Sequence, residues 1–446
     1  MSTDSATPCV TFATAPLPLT AAFDGGRLTS DGGLPWLAEA EAALGVGAAF
    51  AARIPEWRRG RVQHGLETLV RQRVFQIACG YADQDDADTL RGDPLLKLVC
   101  GRLPETGADL ASQPTLSRLE NAVGRHACER LALALLDVYL QERARDGAPP
   151  RIVLDLDGTA DPTHGAQEGG AYHGYYGQHM YHPLLVFDGE TGQLIAAILR
   201  PGNAHASRGV LTLLRRLVPR LRARWPGVAI ELRADSGFAT PQLYIYCEAE
   251  QIDYTIGLAA NPRLQALAAP QLAEAQRRHA ARDAADGATV RLVGAGRYRA
   301  DSWDRARRVV YKTEILEKGP NVRFVVTSRA DAPLALYDWY VDRGEPEGWI
   351  KDLKNACQAD RLSCHAFWAN QFRLLLHAAA YWLLDTLRRW LVQAGAARRQ
   401  LDTLRLDLLK IGGRVYQWAT RVRLRLADSH PGQALWTRLA ARPGRP

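Results

Sequence analysis

Apolar positions recur at helical spacing in two long stretches of the first third of the chain, LETLVRQRVFQIACGY (66–81) and HACERLALALLDVYLQERAR (126–145). That spacing predicts two amphipathic helices. Between them, LASQPTLSRLENAV has a Ser/Thr-rich start before its periodic residues. It reads either as a loop and a capped helix or as a helix that contacts nucleic acid. The first 22 residues are rich in Thr, Ala and Pro and read as a loose tail.

The pattern changes after DGAPP (146–150), a linker signal. RIVLDLD is a short apolar run of the kind that forms a buried strand, and PLLVFDGETGQLIAAILR (183–200) is two apolar runs around a Gly-rich turn, a hairpin. SRGVLTLLRRLVPRLRARW (207–225) is helical, with Pro219 expected to kink or end it. GVAIELRAD reads as a strand, TPQLYIYCEAE as a helix with Pro at an early position and IDYTIGL as a strand. From about 260 to 335 a polar helix precedes alternating strand patterns; GAGRY (294–298) there lacks the strand-to-helix context of a nucleotide loop and reads as a turn. YDWYVDRGEPEGWIKDLK follows, with Pro346 in a first helical turn and Glu345 biased away from helix. A long apolar helix covers 366–390 and a basic one RRQLDTLRLDLLK, before a Pro/Gly-rich end. The pattern therefore predicts an α/β region at 149–390 with a mainly β insertion (about 260–335), preceded by a helical region at 1–148 and followed by one at 391–446.

Composition narrows the class. A chain of 446 residues with 47% hydrophobic content has a core and more than one domain. Its seven cysteines (9, 79, 100, 128, 247, 357, 364) form no C-x-x-C pair, which suits reduced thiols and a cytoplasmic protein. No signal peptide is legible, and the longest apolar stretch, FRLLLHAAAYWLLDTL, is interrupted by Arg373, His377 and Asp385, so no membrane partner is expected. The net charge is +8, and only six of the 56 basic residues are lysine. The excess favours a polyanionic partner, although richness in arginine and alanine also follows from biased codon usage.

The carboxylates carry the candidate chemistry. Cleaving a phosphodiester requires a deprotonated nucleophile and a stabilised leaving oxygen, and two divalent ions about 4 Å apart supply both. Magnesium takes hard oxygen ligands. Asp157 ends the first strand of the α/β region, and Asp235 ends a later one in IELRADSGF. If those strands lie side by side and parallel, both acids emerge at one sheet edge, where α/β sheets place their sites. Asp235 also suits a helix N-cap. Glu347, Lys351 and Lys354 are spaced i, i+4, i+7 on one helix face, as either a salt-bridge ladder or a metal ligand flanked by phosphate clamps. Asp155 competes with Asp157 from the same strand face. DLDGT also resembles the nucleophile motif of haloacid-dehalogenase-type phosphatases, in which Asp155 would attack phosphorus and Asp157 would protonate the leaving group. No late acidic pair of the sort those enzymes need follows it.

The spacing Y-x2-R-x3-E-x6-K at Tyr340, Arg343, Glu347 and Lys354 resembles the signature of DDE insertion-sequence transposases. DLDGTADPTHGAQEGGAYHGYYGQHMYHPLLVF, LRPGNAHASRG and LRADSGFATPQLYIYCEAEQIDYTIGLAANPRL are similar to one branch, insertion-sequence family 1380. RGDPLLKL with ASQPTLSRLEN, and ANQFRLLLHAAAYWLL with TLRLDLLKIGGRV, extend the likeness over nearly the whole chain. The resemblance implies a ribonuclease-H-like core with a β insertion before its last helix; the 112 positions from Asp235 to Glu347 leave room for one. It also implies metal-dependent cleavage at element ends and strand transfer. Asp157, Asp235 and Glu347 would hold two Mg²⁺, for which Mn²⁺ can substitute; the family's D-x-T form fits Asp157-Gly158-Thr159 better than Asp155. Tyr340 and Arg343 would hold a phosphate near the cleaved end, or else be a core residue and a partner of Asp338 or Asp342. Lys354 and Lys351 would contact the DNA backbone. The partners would be the terminal inverted repeats, recognised by the 1–148 region, target DNA, and a second copy paired through a homodimer, with the 391–446 region assigned to dimerisation.

Other residues carry open readings. Trp303, among arginines in RADSWDRARRVVYK, is either a base-stacking residue or a buried hairpin tryptophan. His164, His173, His179 and His182 lack the spacing and cysteines of a structural zinc site. Arg200, Asn203 and His205 are candidates to line the site. A DNA-binding protein with an inactive core is the alternative function, and the phosphatase the third.

Overall fold

The computed structural model describes residues 9–12, 17, 19–281 and 289–442; most of the first eighteen residues and the last four, parts of the tail and the Pro/Gly-rich end, lie outside the described residues. The chain divides into two units, one of 124–354 and 359–378, the other of 1–123, 355–358 and 379–446.

The first unit is built on an eight-stranded sheet. Its strands in chain order are β1 (Arg151–Gly158), β2 (Leu184–Asp188), β3 (Leu194–Ile198), β4 (Ala229–Ala234), β5 (Asp253–Leu258), β6 (Val290–Tyr298), β7 (Arg307–Leu316) and β8 (Gly319–Thr327). The order across the sheet is β6-β7-β8-β5-β4-β1-β2-β3. β1, β4 and β5 run parallel, whereas β2 is antiparallel to both β1 and β3. The strands read as continuous apolar runs because both faces are covered: Ile152 to Leu156 and Leu184 to Asp188 are all buried. The β2–β3 turn is the hairpin expected around DGETG, with Gly192 at φ +74°.

The helices of this unit are α1 (Arg125–Arg143), α2 (Val210–Arg224), α3 (Pro241–Ala249), α4 (Pro262–Ala280), α5 (Pro333–Val341) and α6 (Gly344–Lys351), together with the first part of α7 (Phe367–Gln393). α2 runs through Pro219 to Arg224, so Pro219 does not end the helix. Pro219 lies on the exposed face, where water can satisfy the carbonyl that loses its partner. The insertion does not form a separate body. β8 pairs with β5, so the inserted strands extend the same sheet. GAGRY is strand rather than turn: it lies in β6, and a Cβ on Gly296 would come within 2.9 Å of Leu267 on α4. The glycines let the helix sit close on the strand.

The second unit joins the two ends of the chain. Leu28–Thr29 pairs antiparallel with Gly413–Gln417, which in turn pairs with Val422–Leu426. The two ends of the chain therefore share a sheet, and α1 falls in the first unit. Tyr139 and Arg143 on α1 bind Asp188 at the end of β2, at 2.8 and 3.2 Å. LASQPTLSRLENAV contains the helix Gln113–Ala122, which has no side-chain cap at Ser112 and whose Glu120 is wholly buried and paired with Arg73 at 2.8 Å. All seven cysteines are free, six of them buried. Among the described residues no helix is long and apolar enough to cross a membrane.

Candidate active site

The register of β1 and β4 sets Arg233 opposite Asp155 and Ala234 opposite Leu156. The next residue on each strand is Asp157 and Asp235, so the two acids leave the sheet at matching ends of neighbouring parallel strands. One step back along the same face, Asp155 is sealed: its two oxygens accept from Nε and Nη2 of Arg233, both at 2.7 Å, and it is 1% exposed. Arg233 also donates to the Trp339 carbonyl at 2.8 Å. Asp155 is thus committed to an internal ion pair and offers no free oxygen to a substrate or metal.

Asp157 and Asp235 are arranged differently. Oδ1 of Asp157 accepts from the Gly158 N–H and Oδ1 of Asp235 from the Gly237 N–H, each at 2.8 Å. The N-cap reading of Asp235 is therefore correct, for the short turn Ser236–Phe238, and it leaves the other oxygen available. One guanidinium nitrogen, Nη2 of Arg343, lies 3.2 Å from Oδ2 of Asp157 and 4.0 Å from Oδ2 of Asp235. Burial pushes the Asp157 carboxyl up to about 6; Arg343 opposes the rise, while the charges of Asp235 and Glu347 add to it. Burial and like charges nearby favour the neutral carboxyl, and the Arg343 guanidinium is the cation that offsets them.

Glu347 lies on α6 with an exposed side chain. It is near enough to raise Asp157, but among the described residues no three His, Cys, Asp or Glu are arranged to hold a metal ion. The donor set fits a divalent cation in part: two carboxylate oxygens converge on one cationic nitrogen, and both are hard ligands. α6 is held by Trp349, which sequence reasoning missed. The indole is 3% exposed, 5.5 Å from the Phe187 ring of β2, and a Cβ on Gly192 would come within 2.8 Å of it. The signal was present in GWIK, as a large apolar side chain two residues after Glu347.

Tyr340 ends α5 and Arg343 precedes α6, so the two lie outside the Glu347 helix, as Pro346 suggested. The Tyr340 hydroxyl donates to the Ala234 carbonyl at 3.3 Å, next to Asp235. Gly257 on β5 leaves room for it; a Cβ there would lie 2.8 Å from that hydroxyl. Asp338 pairs with Arg291 at 2.6 Å, which leaves Arg343 to the aspartates. The i, i+4, i+7 face is not continuous. α6 passes into a π-helical turn at Asp352–Ala356, and Lys354 within it donates to the Ala160 carbonyl at 2.7 Å, with Asp360 at 3.7 Å and Asp161 at 4.0 Å. Lys351 is exposed.

Trp303 corrects the stacking expectation. It is 4% exposed, with ring centroids 5.2 Å from Tyr244 and 5.3 Å from Tyr298, and the Arg307 guanidinium lies 5.6 Å from its ring. Neither face is open to a base. Arg200 is also structural: its guanidinium donates to the carbonyls of His182 and Ala206 at 2.7 and 2.6 Å. His205 and Asn203 lie near this turn without entering the carboxylate pair's contacts. Aromatic residues border the site instead. Tyr176 senses the charges of Asp157 and Asp235, its ring lies 5.0 Å from His173, and Tyr175 beside it is 88% exposed. The His182 imidazole, 5.9 Å from the Tyr176 ring, donates Nδ1–H to the Ala204 carbonyl at 2.8 Å.

The family described as transposase DDE domain group 1 matches residues 14–443. The chain belongs to that family. It is a DNA transposase, an enzyme that cleaves DNA and transfers strands, and enzymes of this family generally use divalent metal ions. The inactive-core and phosphatase readings are not favoured; the second also fails on Asp155, which Arg233 holds. The transposase is similar to the cryo-EM structure of the piggyBac transposase synaptic complex with hairpin DNA, at 11% identity and a TM-score of 0.44, over 86% of this chain and 80% of that one. No curated protein matches the sequence.

Proposed function

We propose that Asp157, Asp235 and Glu347 are the catalytic triad of this transposase, holding two Mg²⁺, or Mn²⁺ in their place. The observation that carries the proposal is the convergence of the Asp157 and Asp235 Oδ2 atoms on one nitrogen of Arg343. The strand order β3-β2-β1-β4-β5, with β2 alone antiparallel, supports a ribonuclease-H-like core in which the inserted strands prolong one side. Glu347, on α6, would complete the ligand set. The bound ions supply nucleophile activation and leaving-oxygen stabilisation.

The chain's own residues then have defined tasks. Arg343 lies beside both aspartates, so its guanidinium would counter their charge and would be placed to grip a phosphate bidentately near them. Tyr340 braces the backbone at Ala234 and so holds the Asp235 turn. Lys351 supplies an exposed positive charge to the DNA backbone, and Lys354 anchors the strand that follows Asp157. The finer assignment, to insertion-sequence family 1380 acting on terminal inverted repeats as a homodimer in the bacterial cytoplasm, rests on the likeness of DLDGTADPTHGAQEGGAYHGYYGQHMYHPLLVF, LRPGNAHASRG and LRADSGFATPQLYIYCEAEQIDYTIGLAANPRL to that branch. DNA-end recognition is assigned to the N-terminal helices.

Asp157→Ala, Asp235→Ala and Glu347→Ala should each abolish cleavage and strand transfer on DNA carrying the element's ends with Mg²⁺, and each should retain DNA binding. Full activity in Asp235→Ala would remove the triad.

A further inference from the structure

The antiparallel pair Gly413–Gln417 and Val422–Leu426 has two unlike faces. Val415 is buried on one of them, and Val422, Leu424 and Leu426 are half-buried with it. The alternate positions Arg414, Tyr416, Trp418, Arg421, Arg423 and Arg425 look the other way, and all four arginines are exposed. Arg414 lies directly opposite Arg425, and Tyr416 opposite Arg423. Like charges facing each other across a strand pair are destabilising. No carboxylate lies within ion-pair distance of any of the four among the described residues.

The aromatics order this face rather than bury it. The Tyr416 and Trp418 rings stack at 5.9 Å with 21° between their planes. Arg414 and Arg425 lie over Tyr416 at 5.1 and 5.4 Å, and Arg421 over Trp418 at 5.0 Å. Cation–π contact holds each guanidinium without neutralising it. The turn is closed by the Trp418 N–H to Arg421 carbonyl bond at 2.8 Å, which fixes the register of both rows. Alternate residues of a strand are about 7 Å apart, so each row presents its charges at regular intervals along a line. A polyanion with regularly spaced charges is the complement of such a surface.

We infer that the Arg414–Arg425 face of this C-terminal strand pair is a binding surface for the phosphate backbone of duplex DNA. The rings are engaged with each other and with guanidinium groups, so backbone contact, not base stacking, is the mode that fits. Such contacts add affinity and position the protein without reading sequence. The inference rests on the DNA binding of the transposase family, and not on the metal-site reading: Asp157→Ala should leave this surface unchanged.

The test is binding of the full-length protein to a fluorescent duplex of arbitrary sequence, followed by anisotropy over a series of NaCl concentrations. Each phosphate neutralised contributes about 0.9 to the slope of log K against log salt. Arg423→Ala/Arg425→Ala should make that slope shallower by about two and weaken binding roughly tenfold or more near 0.1 M salt. Arg423→Lys/Arg425→Lys should keep the slope. Arg277→Ala/Arg278→Ala removes the same net charge from two arginines already paired with Glu274, and should also keep it. Cooperative thermal unfolding checks the fold; if the alanine pair fails it, the glutamine pair at the same positions gives the reading. An unchanged slope and affinity in a folded neutral variant overturns the inference, as does an equal loss in the Arg277/Arg278 variant.

Discussion

Arg233 and Asp155 face each other across neighbouring parallel strands, joined by two hydrogen bonds of 2.7 Å. Two positions further along the same strand face, the partner across the strands is another acid: Asp157 meets Asp235, and the cation between them comes from a different segment, Arg343. One pair is sealed and the other is open to exchange, which separates the structural acid from the candidate ligand.

Removing one member of the sealed pair should be costly. Asp155→Ala strands a buried guanidinium and should destabilise the protein by about 3–5 kcal/mol, read as a loss in denaturant midpoint. Asp155→Leu combined with Arg233→Met should recover much of that loss. A negligible effect of Asp155→Ala would return Asp155 to the list of solvent-facing acids.

Arg343 should compete with metal. In Arg343→Ala, Asp157 and Asp235 lose their shared cation, so the metal-free protein should be less stable by about 1–3 kcal/mol. Mn²⁺ should raise the melting temperature of the variant more than that of the unmodified protein. Equal shifts in the two proteins would mean that Arg343 does not occupy the metal position.

Trp349→Ala should cost about 3–5 kcal/mol as a large buried side chain, and should lower strand transfer by freeing α6 and Glu347. Trp303→Ala should cost a similar amount of stability because that indole is equally buried. DNA affinity per folded molecule should not change in Trp303→Ala; a loss there would show the ring reaching DNA after all. Urea unfolding with parallel anisotropy separates these outcomes.

A pH dependence is built into Glu41, in the helix Leu34–Leu44. Its carboxylate accepts from the Gly47 N–H at 2.7 Å, yet burial pushes it up from 4.5 to about 7. Between those values the unfolded chain releases a proton that the folded chain keeps. The contribution is therefore fully present below about pH 4.5 and is lost as pH rises through about 7, amounting to about 3 kcal/mol. Glu41→Gln should remove this slope and be the more stable form at pH 8, measured by denaturant unfolding across the range. Parallel profiles for the two proteins would rule out the assignment.

Local sequence sufficed wherever the information was periodic or carried by spacing. The apolar runs of β1, β4 and β5, the DGETG hairpin and the candidate acids Asp157 and Asp235 were legible because burial on both faces leaves its mark on every residue of a strand. Their convergence needed one added condition, that β1 and β4 be adjacent and parallel, and the register meets it. Glu347 and Arg343 were legible from spacing, but the π-helical turn that carries Lys354 away from the Glu347 face was not, since its cause is packing against Ala160 and Asp161.

The chain by itself determined the core strands β1, β4 and β5, the position of each strand-end acid and the excess of arginine. Only the tertiary structure decided which of two acids on one strand face is neutralised, because the deciding partner, Arg233, lies on another strand. It also decided that Trp303 is core, through Tyr244 and Arg307, and that both chain ends share a sheet, through pairing of Leu28 with Arg414. Periodicity records what a residue's own element exposes or buries. Charge pairing and exposure depend on segments that meet only after folding, and no local pattern carries that information.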